Sequence, residues 1–207
     1  MIELKSVVKK YGNTIALNGV SLTIQKGDFF GLLGPNGAGK STLMNLMVTY
    51  LAADSGTISY DSVDITRDTA SIKQKTGFVP QTIALYDDLS AEENLSIFGS
   101  FYQIPAPVLR ARMMESLSAV GLYDRRKDKV KAFSGGMKRR LNIIASLLHK
   151  PTILLCDEPT VGIDPQSRNA IFDYLELLNR EGMTIVYTTH YMEEAERMCK
   201  NIAIIDK

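Results

Sequence analysis

Gly34-Pro35-Asn36-Gly37-Ala38-Gly39-Lys40-Ser41-Thr42 lies between an apolar run, Phe29-Phe30-Gly31-Leu32-Leu33, and a helix-like run from Leu43 to Leu51. Strand, glycine-rich loop and helix in that order are the setting that the pattern G-x-x-x-x-G-K-[ST] requires, and the stretch reads as a cradle for a nucleoside triphosphate. The glycines let the backbone close around phosphate oxygens and turn several N–H donors inward. The helix beginning near Lys40 adds the positive end of its dipole. Lys40 is placed to reach the β- and γ-phosphates. The Ser41 hydroxyl is placed to ligate Mg²⁺, and Thr42 continues the same turn.

A second stretch belongs with the first. Ile153-Leu154-Leu155-Cys156 is a fully apolar run ending in Asp157-Glu158. Such a run is a parallel strand covered on both faces, and its carboxyl end opens on the ligand crevice. Asp157 there is positioned to hold Mg²⁺, and Glu158 to orient or deprotonate an attacking water. Adjacent like charges repel, so a cation between them and phosphate is expected. Loop and acidic strand together still leave kinases, GTPases and motor ATPases open.

Outward from these two points the chain alternates. Ile2, Leu4 and Ser6 predict a strand, Gly12-Asn13 a hairpin turn, and Ala16 to Ile24 a second strand. The helix after the loop is expected to carry Leu43, Leu46, Met47, Tyr50 and Leu51 on one face. Thr57 to Asp64 and Thr76 to Pro80 read as strands. The character then changes. Ser90 and Glu93 form a capping box ahead of Leu95, Phe98 and Tyr102. Pro105 and Pro107 break the chain, and Leu109, Met113, Leu117 and Val120 make a stripe closed by Gly121. A helical lobe over 85–148 is thus inserted between 1–84 and 149–207 of one β/α domain. Strand alternation resumes after Pro151, with Asp164-Pro165 as a helix start, a strand over Thr184 to Thr189, a helix over Tyr191 to Met198 and a strand over Ile202 to Ile205.

Composition narrows the partners. The 207 residues hold 24 Lys+Arg against 23 Asp+Glu, a net charge of +1, so no nucleic-acid partner is expected. No apolar run is long enough for a bilayer and no signal peptide is present, which predicts a cytosolic soluble domain and leaves docking on a membrane protein open. Cys156 and Cys199 read as small apolar residues, and no Cys/His cluster has metal-ligand spacing. The 9 methionines read as core filler, His149 as a surface or helix-end residue, and Lys138-Arg139-Arg140 as a solvated helix face.

Phe133-Ser134-Gly135-Gly136-Met137-Lys138-Arg139-Arg140 discriminates among the remaining classes. It resembles the signature sequence of ATP-binding cassette (ABC) proteins, with Phe133 and Met137 where Leu and Gln are commonest. The resemblance extends along the whole chain. Tyr11 stands where these proteins stack an aromatic on adenine, and Gln81 matches the glutamine of the loop between the lobes. Gly162-Ile163-Asp164 matches the loop carrying an aspartate, and His190 after Val186-Tyr187-Thr188-Thr189 matches the switch histidine. Residues 158–169 look like the bacterial exporter group of ABC-2 type. The fold implied is a P-loop NTPase (RecA-like) α/β core with a mainly parallel sheet, an N-terminal antiparallel β subdomain and the inserted α-helical subdomain.

The resemblance implies an ATPase using ATP and Mg²⁺. The nucleotide is gripped by 34–42 and Tyr11, and the metal by Ser41, Asp157 and Gln81. Glu158, His190, Gln81 and Lys40 attend the γ-phosphate. Ser134, Gly135 and Gly136 open a helix and so form a second anion site. If the two anion sites lie on different lobes, one chain cannot close both on one nucleotide. The family's answer is a head-to-tail pair of chains with Asp164 at the junction, a two-fold arrangement that closes on itself. A separate membrane permease is the implied partner, which places the domain on the inner face of the membrane. Family members usually run past the last strand read here, so further chain beyond Lys207 is expected.

Overall fold

Alternation of Ile2 and Leu4 with charged neighbours builds β1 (Ile2–Tyr11), which pairs antiparallel with β2 (Thr14–Ile24) across the Gly12-Asn13 turn. The computed structural model describes residues 1–206. The alternation is broken at Ser6, whose φ of 48° marks a bulge. Val7 takes the inward place expected of Ser6, and the Ser6 amide instead donates to the Ser21 hydroxyl oxygen at 2.8 Å. A bulge shifts every later side chain to the other face.

β3 (Phe29–Leu33) is buried on both faces and leads through the loop 34–39 into α1 (Lys40–Met47). The helix stops at Met47, earlier than its apolar pattern suggests. Thr49 turns left-handed (φ 60°), and the amides of Tyr50 and Leu51 both return to the Asn45 carbonyl. Leu43, Leu46 and Met47 are buried as expected, but Tyr50 is 78% exposed and lies off that face. The stretch expected as one strand over 57–64 is a hairpin, β4 (Ser55–Tyr60) and β5 (Val63–Asp64), because Asp61 and Ser62 both take positive φ. A helix that the apolar pattern does not announce, α2 (Thr69–Lys75), starts on the Asp68 cap and precedes β6 (Thr76–Val79).

Helices follow. α3 (Ala91–Ser100) begins on the reciprocal Ser90–Glu93 capping box and ends before Tyr102. Pro105 and Pro107 start α4 (Ala106–Ala119), fitting its first turn where a missing N–H costs nothing. Gly121 (φ 68°) closes it. α5 (Gly135–Ala145) is capped by Ser134. Leu95, Leu117, Val130, Leu141 and Ile144 form the buried centre of this helical segment.

Then come β7 (Ile153–Asp157), α6 (Pro165–Arg180), β8 (Thr184–Thr189), α7 (Met192–Met198) and β9 (Asn201–Ile204). Two sheets result. One is antiparallel, in the order β2-β1-β4-β5, and the other is parallel, in the order β6-β7-β8-β3-β9. α1 is packed with the antiparallel sheet through Leu4, Val7, Met44 and Ile58, and α6 lies on the parallel sheet through Ile171, Phe172 and Leu175. The carboxyl ends of β3, β7 and β8 therefore open side by side, carrying the glycine loop, Asp157-Glu158 and Thr189-His190 to one rim.

Candidate nucleotide site

The loop between β3 and α1 is shaped by its backbone. The Gly34 amide donates to the Thr189 carbonyl (3.3 Å) and the Ala38 amide to Pro35 (3.2 Å). Gly39 is the residue before the helix at φ 101°, and a Cβ there would lie 2.5 Å from the Ala16 carbonyl oxygen on β2. Only glycine meets both demands. Pro35, Asn36 and Gly37 form the exposed crest, while Ser41 and Thr42 are half-buried at the helix start. Lys40 is buried inside the curl. Its ammonium donates to the carbonyls of Gly34 (2.6 Å) and Pro35 (3.1 Å) and stands 3.0 Å from Glu158 Oε1. Tyr11 is exposed at the tip of the β1–β2 hairpin, opposite Thr14 and close along β2 to the Ala16 that abuts Gly39.

β7 delivers the carboxylates. Glu158 sits just past it with φ 45°, a left-handed backbone that costs a non-glycine residue roughly 1–3 kcal/mol and is held only where the surroundings dictate it. The Thr188 hydroxyl does the holding. It accepts from the Glu158 amide (2.9 Å) and donates to Asp157 Oδ1 (2.7 Å). The Glu158 carboxylate, 5% exposed, then collects groups from three elements. Besides Lys40 it meets Gln81 Nε2 at 3.3 Å, from the loop after β6, and His190 Nδ1 at 3.4 Å, from the loop after β8. His190 also lies against the Tyr191 ring, with centroids 4.1 Å apart.

Ser41, Gln81 and Asp157 line one groove. A hydroxyl, an amide and a carboxylate are hard oxygen donors, and few protein ligands leave the remaining octahedral positions to phosphate and water, which fits Mg²⁺. Among the described residues no group of three or more His, Cys, Asp or Glu side chains could hold a metal on its own.

Ser134, Gly135, Gly136 and Asp164 gather elsewhere. Ser134 and Gly135 are exposed, and Ser134 caps α5 by accepting the Met137 amide at 3.3 Å. A Cβ on Gly136 would fall 2.1 Å from Ser167 Oγ and 3.5 Å from Asp164 Oδ2, so the starts of α5 and α6 lie against each other. Asp164 caps α6 through the Ser167 amide (2.9 Å), and that bond holds its carboxyl below the usual range. Among the described residues no hydrogen bond or ion pair joins this group to Lys40 or Glu158. Two clusters thus exist in one chain.

The basic run after the signature glycines is not a solvated face. Arg139 is 3% exposed, and its guanidinium donates to the carbonyls of Pro80 (2.7 Å) and Gln81 (2.5 Å). Desolvation lowers its pKa, yet a guanidinium stays charged. Arg140 donates to the Val120 carbonyl, and Lys138 pairs with Asp87. The sequence carries the signal: 136, 139 and 143 recur at helical spacing and are all buried. His149 stands in the turn past the end of α5, as a helix-end residue, and is half-buried there. It stacks on Tyr102 (3.8 Å, 1° between planes) and bonds through Nε2 to the Thr76 carbonyl (3.1 Å). Glu194 is a further residue the motifs do not flag. Buried on α7, it accepts from Tyr187 (2.9 Å), Thr189 (2.8 Å) and Thr160 (3.0 Å), tying the segment after Glu158 to the one before His190.

Comparison with known proteins agrees with this geometry. The family model described as ABC transporter matches residues 17–161, and the chain belongs to that family. It is 50% identical over 207 residues to the linearmycin resistance ATP-binding protein LnrL of Bacillus subtilis, covering 100% of this chain and 67% of that protein. It is 39% identical to the Nod factor export ATP-binding protein I of Ralstonia nicotianae, covering 100% and 64%. The chain thus spans about two thirds of the length of these curated relatives. Among solved structures it is similar to a dimeric ATP-binding cassette in a post-hydrolysis state bound to ADP and Pi. That likeness has a TM-score of 0.88 at 31% identity, over 100% of this chain and 94% of the other.

Proposed function

We propose that the chain is the ATP-binding and ATP-hydrolysing part of an ABC exporter. It works as one domain of two lobes, 1–84 with 149–207 and 85–148, on the inner face of a membrane. No helix among the described residues is long and apolar enough to cross a bilayer, and the cargo is taken to pass through a membrane permease. The relatives named for linearmycin resistance and Nod factor export support the export direction.

The observation that carries this reading is the convergence of Lys40, Gln81 and His190 on the buried Glu158 carboxylate. The loop amides of 34–42 cradle the triphosphate of ATP and Lys40 exchanges its Glu158 contact for phosphate, with Tyr11 against the base. Ser41, Asp157 and Gln81 would hold Mg²⁺, which would neutralise phosphate charge. Glu158 accepts the proton of the attacking water as the γ-phosphorus leaves the bridging oxygen of ADP, and His190 steadies the γ-phosphate. Catalysis on this plan is positioning and electrostatics. Ser134 and Gly135, exposed and apart from Lys40, with Gly136 buried behind them, cap the nucleotide of a second copy, and Asp164 lies beside them at the junction. The groove next to Gln81 exposes Tyr50 and Phe101 (78% and 67%) and suits a permease segment.

Glu158→Gln tests the assignment. The variant is expected to bind ATP, pair tightly and lose at least about 100-fold in kcat. Unchanged turnover removes Glu158 from the mechanism. A Glu158→Gln sample that stays monomeric with ATP at high concentration removes the shared-site arrangement. Lys40→Ala is expected to lose nucleotide affinity, read by binding of a fluorescent ATP analogue.

A further inference from the structure

We propose that Arg139 is a positioning residue for Gln81, locking the loop 80–84 to α5 so that Gln81 and Ser134 move as one piece. The geometry is specific. Two consecutive carbonyls, Pro80 and Gln81, are bound by the two terminal nitrogens of one guanidinium. That fixes the orientation of the peptide on each side of the Gln81 Cα, and with it the direction in which the Gln81 side chain leaves toward Glu158. Along α5 from Arg139, Asn142 accepts the Ala84 amide at 3.3 Å. Lys138 holds Asp87 at 2.7 Å. Three side chains from one stretch of helix therefore grip the irregular segment that follows β6.

Energetics argues that the contact is functional. A buried cation is costly unless paired. Among the described residues no carboxylate lies within ion-pair distance of Arg139; Asp157 attracts it only from farther off. Its Nε is buried and finds no hydrogen-bond partner among the described residues. An apolar side chain would fill the same space without the desolvation cost. What it would not do is fix two carbonyls at once, and lysine, with a single point donor, could not either. Because Ser134 caps the same helix, a shift imposed at Ser134 is carried through Arg139 to Gln81.

The inference rests on the proposed role of Gln81 toward Mg²⁺ and γ-phosphate. Its test uses the full-length protein carrying Arg139→Met, Arg139→Lys, Gln81→Ala and the Arg139→Met/Gln81→Ala pair. Three quantities are read: the Mg²⁺ concentration half-saturating the binding of a fluorescent ATP analogue, kcat and KM for ATP, and amide exchange over 80–84. Arg139→Met is expected to raise half-saturating Mg²⁺ several-fold, lower kcat about tenfold and leave KM within about twofold, the pattern of a lost transition-state contact. Arg139→Lys should fall between it and wild type, and carries the test if Arg139→Met does not fold. The double variant should match Gln81→Ala alone. A wild-type Mg²⁺ response in Arg139→Met while Gln81→Ala responds, or losses that multiply in the double variant, overturn the proposal. If Gln81→Ala itself leaves the Mg²⁺ response unchanged, the metal role of Gln81 falls. The lock is then judged on exchange: faster exchange over 80–84 in Arg139→Met supports it, and unaltered exchange overturns it.

Discussion

Replacing Gly136 by alanine probes the joint between the two exposed helix starts. The added Cβ would stand 2.1 Å from Ser167 Oγ and 2.3 Å from Ser167 Cβ. Rotating Ser167 removes the first clash but not the second, because its Cβ is fixed to the α6 backbone. Ordinary contact then requires the helix starts to separate by about 1 Å, in an interior packed nearly as densely as a crystal. α6 cannot drift freely, since the Asp164 cap and Ile163 anchor its first turn. Overpacking of this kind costs about 1–3 kcal/mol. Alanine's helical advantage returns at most about 1 kcal/mol. The net of about 1.5 kcal/mol at mid-range, at about 2–4 °C in Tm per kcal/mol for a chain of this size, gives an expected drop of roughly 3–6 °C. Ser167→Gly removes both offending atoms while its amide still reaches Asp164, so the double variant should recover most of the loss beyond the cost of glycine in α6. Thermal denaturation of the four proteins measures the cycle. A Tm within about 1 °C of wild type for Gly136→Ala, or no recovery on adding Ser167→Gly, refutes the packing argument.

Ser90→Ala removes the α3 cap and one arm of the capping box. It should cost about 1 kcal/mol, read by urea denaturation, and a change below about 0.3 kcal/mol would mean the helix start is held by packing alone. His149 gives a pH signature. Burial holds its pKa below 6.5, partly offset by the Thr76 bond and assisted by Arg112. The unfolded imidazole therefore takes up its proton first as pH falls. The stability His149 contributes is full above about 6.5 and drains as pH drops through the lowered folded value. The Tm advantage of wild type over His149→Gln should thus shrink between pH 7.5 and pH 5. A constant difference over that range would count against a half-buried neutral imidazole.

The features legible in sequence are those decided locally. The glycine loop, the Ser90–Glu93 box and the Asp164-Pro165 start each need only residues within one turn of one another, and the structure forms all three. The apolar run ending in Asp157-Glu158 was legible because burial on both faces leaves no alternation. What failed depended on distant partners or on backbone sign. Nothing near Thr49 in the chain announces its left-handed turn, so the helical pattern assigns Tyr50 to a face it does not share. Arg139 reads as solvated because its partners, Pro80 and Gln81, lie far away in sequence. Glu194 reads as one acid among several on a short helix, and only the fold brings Thr160, Tyr187 and Thr189 around it. At the candidate site the chemical groups were visible, while the residues that aim them were not.

Those aiming residues explain how two separate clusters in one chain can act together. Segment 158–164 runs from the Lys40 cluster to the signature cluster, and it is pinned along its length. Thr188 fixes Glu158 at the start and Glu194 holds Thr160. Ile163 is buried with Cys156 and Phe172, and Asp164 caps α6 beside Gly136. Short turns, Val161 to Glu158 and Ile163 to Thr160, leave little slack between the pins. A segment so held transmits displacement rather than absorbing it. Pressure on Ser134 and Gly136 therefore reaches the Glu158 carboxylate by two routes, through the start of α6 along 158–164 and through Arg139 to Gln81. Both routes converge on a residue already held in a strained backbone, whose carboxylate meets Lys40, Gln81 and His190 together. On the arrangement proposed above, a second copy engaging the exposed Ser134 and Gly135 would bear on the Glu158 carboxylate along both routes.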